Sequence, residues 1–339
     1  MNISDDKNPG RQRGDIVSAH GGKKAILAAL GANAGIAVAK FAGFLITGSS
    51  SMLAESVHSV ADTSNQGLLL LGQKKAEREA DQLHPFGYGR SRYFYSFVVA
   101  LVLFTLGSLF AIYEGIHKIQ HPEELNSAFV AIAILLIAIC LEGYSFRTAA
   151  KESRPLKGNA SWWNFIRTSR SPELPVVLLE DTGALIGLVL ALGGVGLTMV
   201  TGNPVFDGIG TLCIGVLLGI IAVILIIEMQ SLLIGEGATP VETELILNAL
   251  VDGTRIERVI HCKTQYLGPE EILVAAKVAV PLGSTISDVA TAIDEAESRV
   301  RAAVPAARVI YLEPDLDRLS ADRPGSDRPE TDLQAPDKP

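Results

Sequence analysis

Apolar residues along this chain gather into long runs with few or no charges, and the runs fall at about 25–47, 51–73, 93–117, 127–149, 175–200 and 205–228. Each reaches the ~20 residues that an α-helix needs to cross a hydrocarbon core of ~30 Å, so six membrane helices are expected. The second and fifth runs are the least purely apolar. After Gly235 the pattern changes. Residues 240–252 read as a helix, 256–267 and 271–281 as strands, 286–303 as an amphipathic helix and 307–313 as a last strand. That order predicts a small α+β sandwich whose antiparallel sheet is covered on one face. Between the fourth and fifth runs, the stretch 153–173 mixes Arg and Lys with Trp162, Trp163, Phe165 and Ile166, as a short interfacial amphipathic helix would. The fold class expected is an all-α six-helix transmembrane bundle, residues 25–235, followed by a small soluble α+β domain, residues 236–317. The arm 1–24 and the Asp-, Pro- and Arg-rich tail 318–339 are expected to be disordered.

Composition supports a bilayer as the solvent. Hydrophobic residues are 48% and charged residues 19% of the chain, too clumped for a soluble core of this length. The formal net charge of -8 comes largely from residues after Glu228, so it belongs to the soluble part. No basic stripe interleaved with aromatics occurs, which argues against nucleic acid as a partner. Cys140, Cys213 and Cys262 are too scattered for a disulfide framework or a thiolate zinc site. Met1 to Lys24 lack the apolar run of a secretory signal. Lys and Arg crowd the arm, the second connection (Lys74, Lys75, Arg78, Arg90, Arg92) and the fourth (Arg147, Lys151, Arg154, Lys157, Arg167, Arg170). The other connections hold Lys118 and little else, so the positive-inside rule places both termini in the cytoplasm. An integral multi-pass protein of the bacterial inner (plasma) membrane is expected.

The second run carries the chemistry. Glu55, His58, Asp62 and Asn65 recur three and four residues apart and share one helix face. Such a stripe costs several kcal/mol against lipid, so it must face a partner helix or a wet cavity. An imidazole and a carboxylate one turn apart can hold the same divalent ion. The bland alternative is a hydrogen-bonding seam between helices. In the fifth run, Glu180 shares a face with Gly183 and Gly187, whereas Asp181 shares one with Ala184, Leu185 and Leu188. The two carboxylates point ~100° apart, and position alone does not choose between them. Asp81 and His84 in the second connection form a further candidate pair, set against an ordinary polar loop. Lys40 has two readings, a carboxylate partner or snorkelling to the interface, the second being commoner. His261 and Cys262 are neighbours on a strand, so one faces the core and the other the surface.

The run Gly48-Ser49-Ser50-Ser51-Met52-Leu53-Ala54-Glu55-Ser56-Val57-His58-Ser59-Val60-Ala61-Asp62 resembles the hallmark of the cation diffusion facilitators. His84-Pro85-Phe86-Gly87-Tyr88-Gly89-Arg90 is similar to that family's second hallmark. Val177-Leu178-Leu179-Glu180-Asp181-Thr182-Gly183-Ala184, with the aromatics Trp162 to Phe165 before it, resembles the zinc transporter nine branch. The resemblance covers about Lys24 to Asp315. It implies six membrane helices, a cytoplasmic ferredoxin-like domain and a homodimer. It also implies a transport site with two residues from the second helix and two from the fifth, each pair four apart. His58 and Asp62 match the first pair and Asp181 matches one member of the second, while the other falls on Val177, which cannot ligate. Glu180, Glu55 or water is left to complete the set. Asp81 and His84 match a loop metal site in which Tyr88 replaces a further histidine. Tyr311 and Glu313 stand where zinc-sensing members carry metal-binding residues, so dimerisation is the expected role of the soluble domain.

A site of one imidazole and carboxylates must shed protons to bind metal. In an alternating-access bundle it exchanges one for the other. The expected function is therefore secondary active efflux of divalent cations by metal/proton antiport, with zinc the first choice and Co, Fe, Mn, Ni or Cd also compatible. Protons would be the counter-ion, and the protein would not be an enzyme. The rivals are a non-transporting metal receptor or scaffold and an intramembrane metallohydrolase, the latter lacking a His-Glu-x-x-His arrangement or a nucleophile elbow.

Overall fold

The computed structural model describes residues 34–122, 124–125 and 127–316; the expected arm and tail lie outside them. The described chain divides into two compact units, one taking in the chain up to Gly235 together with Leu267–Pro269, the other Glu236–Tyr266 and the chain from Glu270 onward.

The first unit is helical. It contains α1 (Ala34–Thr47), α2 (Ser50–Ala76), α3 (Ser91–Val102), a π-helical segment (Leu103–Leu109) and α4 (Phe110–Gln120). It continues with α5 (Ala128–Lys157), α6 (Trp162–Thr168), α7 (Glu173–Thr201) and α8 (Val205–Ile234). Among the described residues, 4 helices are long and apolar enough to cross a membrane: Ser91–Gln120, Ala128–Lys151, Glu173–Thr201 and Val205–Ile234. The expectation was six. The described part of α1 is short, and α2, although 27 residues long, is diluted by its polar stripe and by Lys74 and Lys75. Val38, Leu45, Phe129, Ile137, Val189 and Ile220 each stand more than half exposed, as lipid-facing side chains do. The chain is a membrane protein.

The expected interfacial helix over 153–173 is split in two. Its first part continues α5 to Lys157. Gly158, at φ 54°, ends that helix, and Ser161 starts α6 by accepting the Asn164 N–H at 3.1 Å.

Helix α8 packs against α2, α3, the π-helical segment, α4 and α7. Its contact with α4 is made backbone to backbone. A Cβ on Gly115 would lie 2.6 Å from the Leu212 nitrogen, so only glycine permits this approach. Helix α8 also holds the start of α2. The buried Asp207 carboxylate accepts from Ser49 Oγ at 2.8 Å and from the Ser50 N–H at 2.7 Å. A carboxylate here satisfies orphan donors at the positive end of α2. Ser50 Oγ donates in turn to Glu114 at 2.9 Å, and Lys118 Nζ donates to the Gly48 carbonyl at 3.2 Å.

The second unit runs α9 (Pro240–Leu250), β1 (Arg258–Gly268), β2 (Glu271–Ala279), α10 (Ile286–Ala303) and β3 (Val309–Asp315). Both helices begin with a capping box, Thr239 with Glu242 and Thr285 with Asp288. The strand order is β1-β2-β3. The expectation of an antiparallel sheet is corrected, because β2 and β3 pair in parallel from Leu273↔Val309 to Ala279↔Asp315. The reason is the 18-residue α10 between them, a crossover long enough to return the chain in the same direction. Ile272, Val274 and Val278 alternate inward along β2 onto Ala292, Ala296 and Val300 of α10. Lys277 joins the strands by ion pairs to Glu313 at 2.8 Å and Asp315 at 3.0 Å. Cys262 packs on this core and its neighbour His261 is exposed.

Two measurements test this account. Asp207→Ala should lower the melting temperature of the detergent-solubilised protein, because it orphans buried donors at about 1–3 kcal/mol each. In the second unit, partial burial pushes the Asp252 carboxyl up, but hydrogen bonds from the Ile256, Thr254 and Arg255 N–H groups outweigh it and hold the pKa at about 2. A depressed pKa gives stability that is present above the ordinary 3.8 and lost as pH falls toward about 2. Asp252→Ala should flatten that acid loss, read by hydrogen exchange of α9 and β1 peptides across the window.

Candidate metal site

The polar stripe of α2 is buried: Glu55 and Asn65 are 0% exposed, His58 1% and Asp62 9%. His58 Nδ1 lies 3.5 Å from Asp62 Oδ1, one turn along the helix. The stripe is short of partners. Glu55 Oε1, both His58 ring nitrogens, Asp62 Oδ1 and Asn65 Oδ1 are buried without a hydrogen bond. Leaving such atoms unpaired costs about 1–3 kcal/mol each, so a row of five on one face calls for a partner that the surrounding helices do not supply.

Three elements surround the stripe. From α7 comes Glu180, 6% exposed, whose Oε1 accepts from Asn65 Nδ2 at 2.8 Å. Two helical turns further along α7, Gly187 leaves a notch for Glu55; a Cβ there would lie 2.7 Å from Glu55 Oε1. The π-helical segment brings Gly107 beside His58 Nδ1, and π-bulges are frequent at functional sites. From α1, Lys40 donates to Glu55 Oε2 at 3.0 Å and to Ser59 Oγ at 2.8 Å. Lys40 is 0% exposed, so it pairs inward instead of snorkelling: with Glu55 in reach, the ion pair offsets the desolvation of both groups.

Asp181 does not face α2. Its Oδ2 accepts from Ser145 Oγ of α5 at 3.3 Å. Val177, one turn earlier, packs with Ala149, Phe146 and Phe165 on the same side of α7. The strongest cross-helix partner expected for the His58/Asp62 pair was Asp181, but adjacent residues point ~100° apart and only Glu180 can join Gly183 and Gly187 on the α2 side. Sequence reasoning missed Glu142, which is 9% exposed near the middle of the Ala128–Lys151 span. Its charge reaches Asp62, Glu180 and Asp181. An acid inside an apolar run was the available signal. Among the described residues no group of three or more His, Cys, Asp or Glu stands close enough together to hold a metal ion.

The loop pair is brought together at the surface. Asp81 Oδ1 accepts the Leu83 and His84 N–H groups at 2.9 and 2.7 Å, and His84 Nδ1 lies 3.5 Å away. Tyr88 Oη donates to Asp81 Oδ2 at 2.6 Å. That bond and the one from the His84 N–H hold the Asp81 carboxyl below the usual range. Asp81 therefore also organises the loop. In the second unit Tyr311 is exposed and Glu313 is engaged by Lys277.

A membrane bundle that buries an imidazole beside facing carboxylates belongs to the class of proteins that handle cations within the bilayer. Residues 26–234 match the cation efflux transmembrane domain, and the chain belongs to the cation efflux family. It is 33% identical over 271 residues to the proton-coupled zinc antiporter SLC30A9, mitochondrial, of Mus musculus, covering 79% of this chain and 48% of that protein. It is 30% identical over 260 residues to metal tolerance protein C4 of Arabidopsis thaliana, covering 76% and 56%. With magnetosome protein MamB of Paramagnetospirillum magneticum it shares 26% over 275 residues, 79% and 85%. The chain spans about half the length of the zinc antiporter it matches.

The notch at Gly187 gives a contrast within one helix. Gly187→Ala drives a methyl into a pinned, buried carboxylate and should cost about 1–3 kcal/mol, seen as a lower melting temperature in detergent. Gly193→Ala has open space around its Cβ and should be neutral or stabilising by up to about 1 kcal/mol.

Proposed function

We propose that this protein is a secondary active transporter that expels divalent metal cations, zinc first among them, in exchange for protons. The observation that carries the reading is the row of orphaned donor atoms on α2 opposite Glu180, inside the domain matched to cation efflux proteins. His58, Asp62 and Glu180 are the proposed ligands, with Asp181 and Glu142 as nearby acids on the α5 side. An ion entering this array finds one imidazole and two carboxylates, a donor set suited to borderline divalent ions. Binding requires a neutral imidazole and ionised carboxylates, so loading from one side displaces protons and reprotonation from the other releases the metal. Asp81 and His84 are proposed as a second, surface position for metal.

The topology proposed has six spans, with α1 and α2 as the two beyond the four apolar helices, and both termini in the cytoplasm by the Lys/Arg bias. The membrane proposed is the bacterial inner membrane, which like the mitochondrial one maintains a proton gradient able to drive exchange. The soluble unit, proposed as ferredoxin-like, serves a homodimer, as the family resemblance implies. Similarity to a proton-coupled zinc antiporter supports both zinc and protons. Membership in an efflux family disfavours the receptor, scaffold and hydrolase readings.

The test is proteoliposome transport with a pH-sensitive dye and a zinc indicator. Zinc should drive proton movement in the opposite direction, and Asp62→Ala should reduce both signals to the level of protein-free vesicles. Full flux in the folded Asp62→Ala protein would sink the proposal.

A further inference from the structure

The stripe on α2 offers one acid more than the proposed ligand set uses. Glu55 lies three residues before His58 on the same face and is 0% exposed, so by position alone it is a ligand candidate. Its two oxygens have different surroundings. Oε2 receives the Lys40 ammonium at 3.0 Å, and Oε1 is buried without a hydrogen bond at the Gly187 notch of α7. Lys40 is equally buried and also grips Ser59 at 2.8 Å, four residues along α2 from Glu55. Two contacts one turn apart on one helix hold the ammonium against α2 and leave it little freedom to swing away. A buried ion pair of this kind stays paired, because separating it would expose each charge to an apolar surrounding. The fixed cation thus covers one acid of the stripe and leaves the His58 end open.

Resting on the transport-site reading above, we propose that Lys40 is an internal counter-cation that withdraws Glu55 from the metal-ligand set and so fixes which ions the site prefers. With Glu55 neutralised, the site presents an imidazole and two carboxylates. With Glu55 released, it presents three carboxylates and one more negative charge. Carboxylate-rich sites suit hard ions such as manganese, whereas an imidazole with fewer acids suits zinc and cobalt. Lys40 is a positioning residue: it acts on selectivity through Glu55.

The experiment measures zinc and manganese binding to the full chain in detergent, by calorimetric titration, together with the visible absorption of bound cobalt, which reports its ligand geometry. Wild type, Lys40→Met and Lys40→Met/Glu55→Gln are compared, each checked for a monodisperse elution profile. In the single variant the manganese-to-zinc affinity ratio should rise by about tenfold or more, the scale on which residues beside a metal site act. In the double variant the ratio and the cobalt spectrum should return to those of wild type. A merely structural role for Lys40 would alter stability but leave the ratio unmoved. Should the single variant fail to fold, the double variant decides by itself, since it removes both charges together. A folded double variant with lost zinc affinity or an altered cobalt spectrum makes Glu55 a ligand and overturns the proposal. So does an unchanged ratio in a folded single variant, or the absence of metal binding by the wild type. Wild-type binding without flux in vesicles would instead overturn transport and leave the role of Lys40 standing.

Discussion

Ionisable side chains inside a bilayer must be paired, hydrated or hidden, and α2 carries enough of them to govern the rest of the membrane unit. Glu55, His58, Asp62 and Asn65 occupy one face. The helices around them are arranged to receive that face. Lys40 of α1 meets Glu55, and Glu180 of α7 meets Asn65. Gly187 clears room for a carboxylate, and Gly107 lies beside the imidazole. Each of these is a local answer to the same penalty. The answers are incomplete: one oxygen each of Glu55, Asp62 and Asn65 and both ring nitrogens of His58 stay buried without a hydrogen bond.

The same penalty operates at the beginning of α2. Its first N–H groups would be orphans at the end of a helix, and Asp207 satisfies them from α8 while Glu114 of α4 takes the Ser50 hydroxyl. Helix α8 in turn touches α4 through glycine, so α2 is anchored to a rigid pair. The second unit is built on different terms. Its core is aliphatic, its helices are capped by their own side chains, and ion pairs of Lys277 lie across the β2–β3 edge.

Much of this was legible in the chain. Apolar runs located the long helices, because a hydrocarbon core sets a minimum length that composition records directly. The amphipathic period of α10 gave its bounds, 286–303, to the residue. Strand direction was not legible, since alternation reports which face is buried and says nothing of which way a strand runs. The helix expected over 153–173 misread the break at Gly158, because charge and aromatic content do not reveal a φ of 54°. Glu142 was visible as an acid in an apolar run, yet its relevance depends on which way α5 turns that face.

Periodicity within a single helix is a property of the sequence, and it determined by itself that Glu55, His58, Asp62 and Asn65 share a face and that this face cannot lie against lipid. Which groups come to meet it is a property of rotation and packing between helices, from 15 residues away for Lys40 and Glu55 to 115 for Asn65 and Glu180. Only the tertiary structure turned Glu180 toward α2 and Asp181 toward α5, and only it brought Lys40 inward to Glu55. The reason is physical: a helix places its residues ~100° apart, so one carboxylate or its neighbour can face the site, and close packing against small residues decides which.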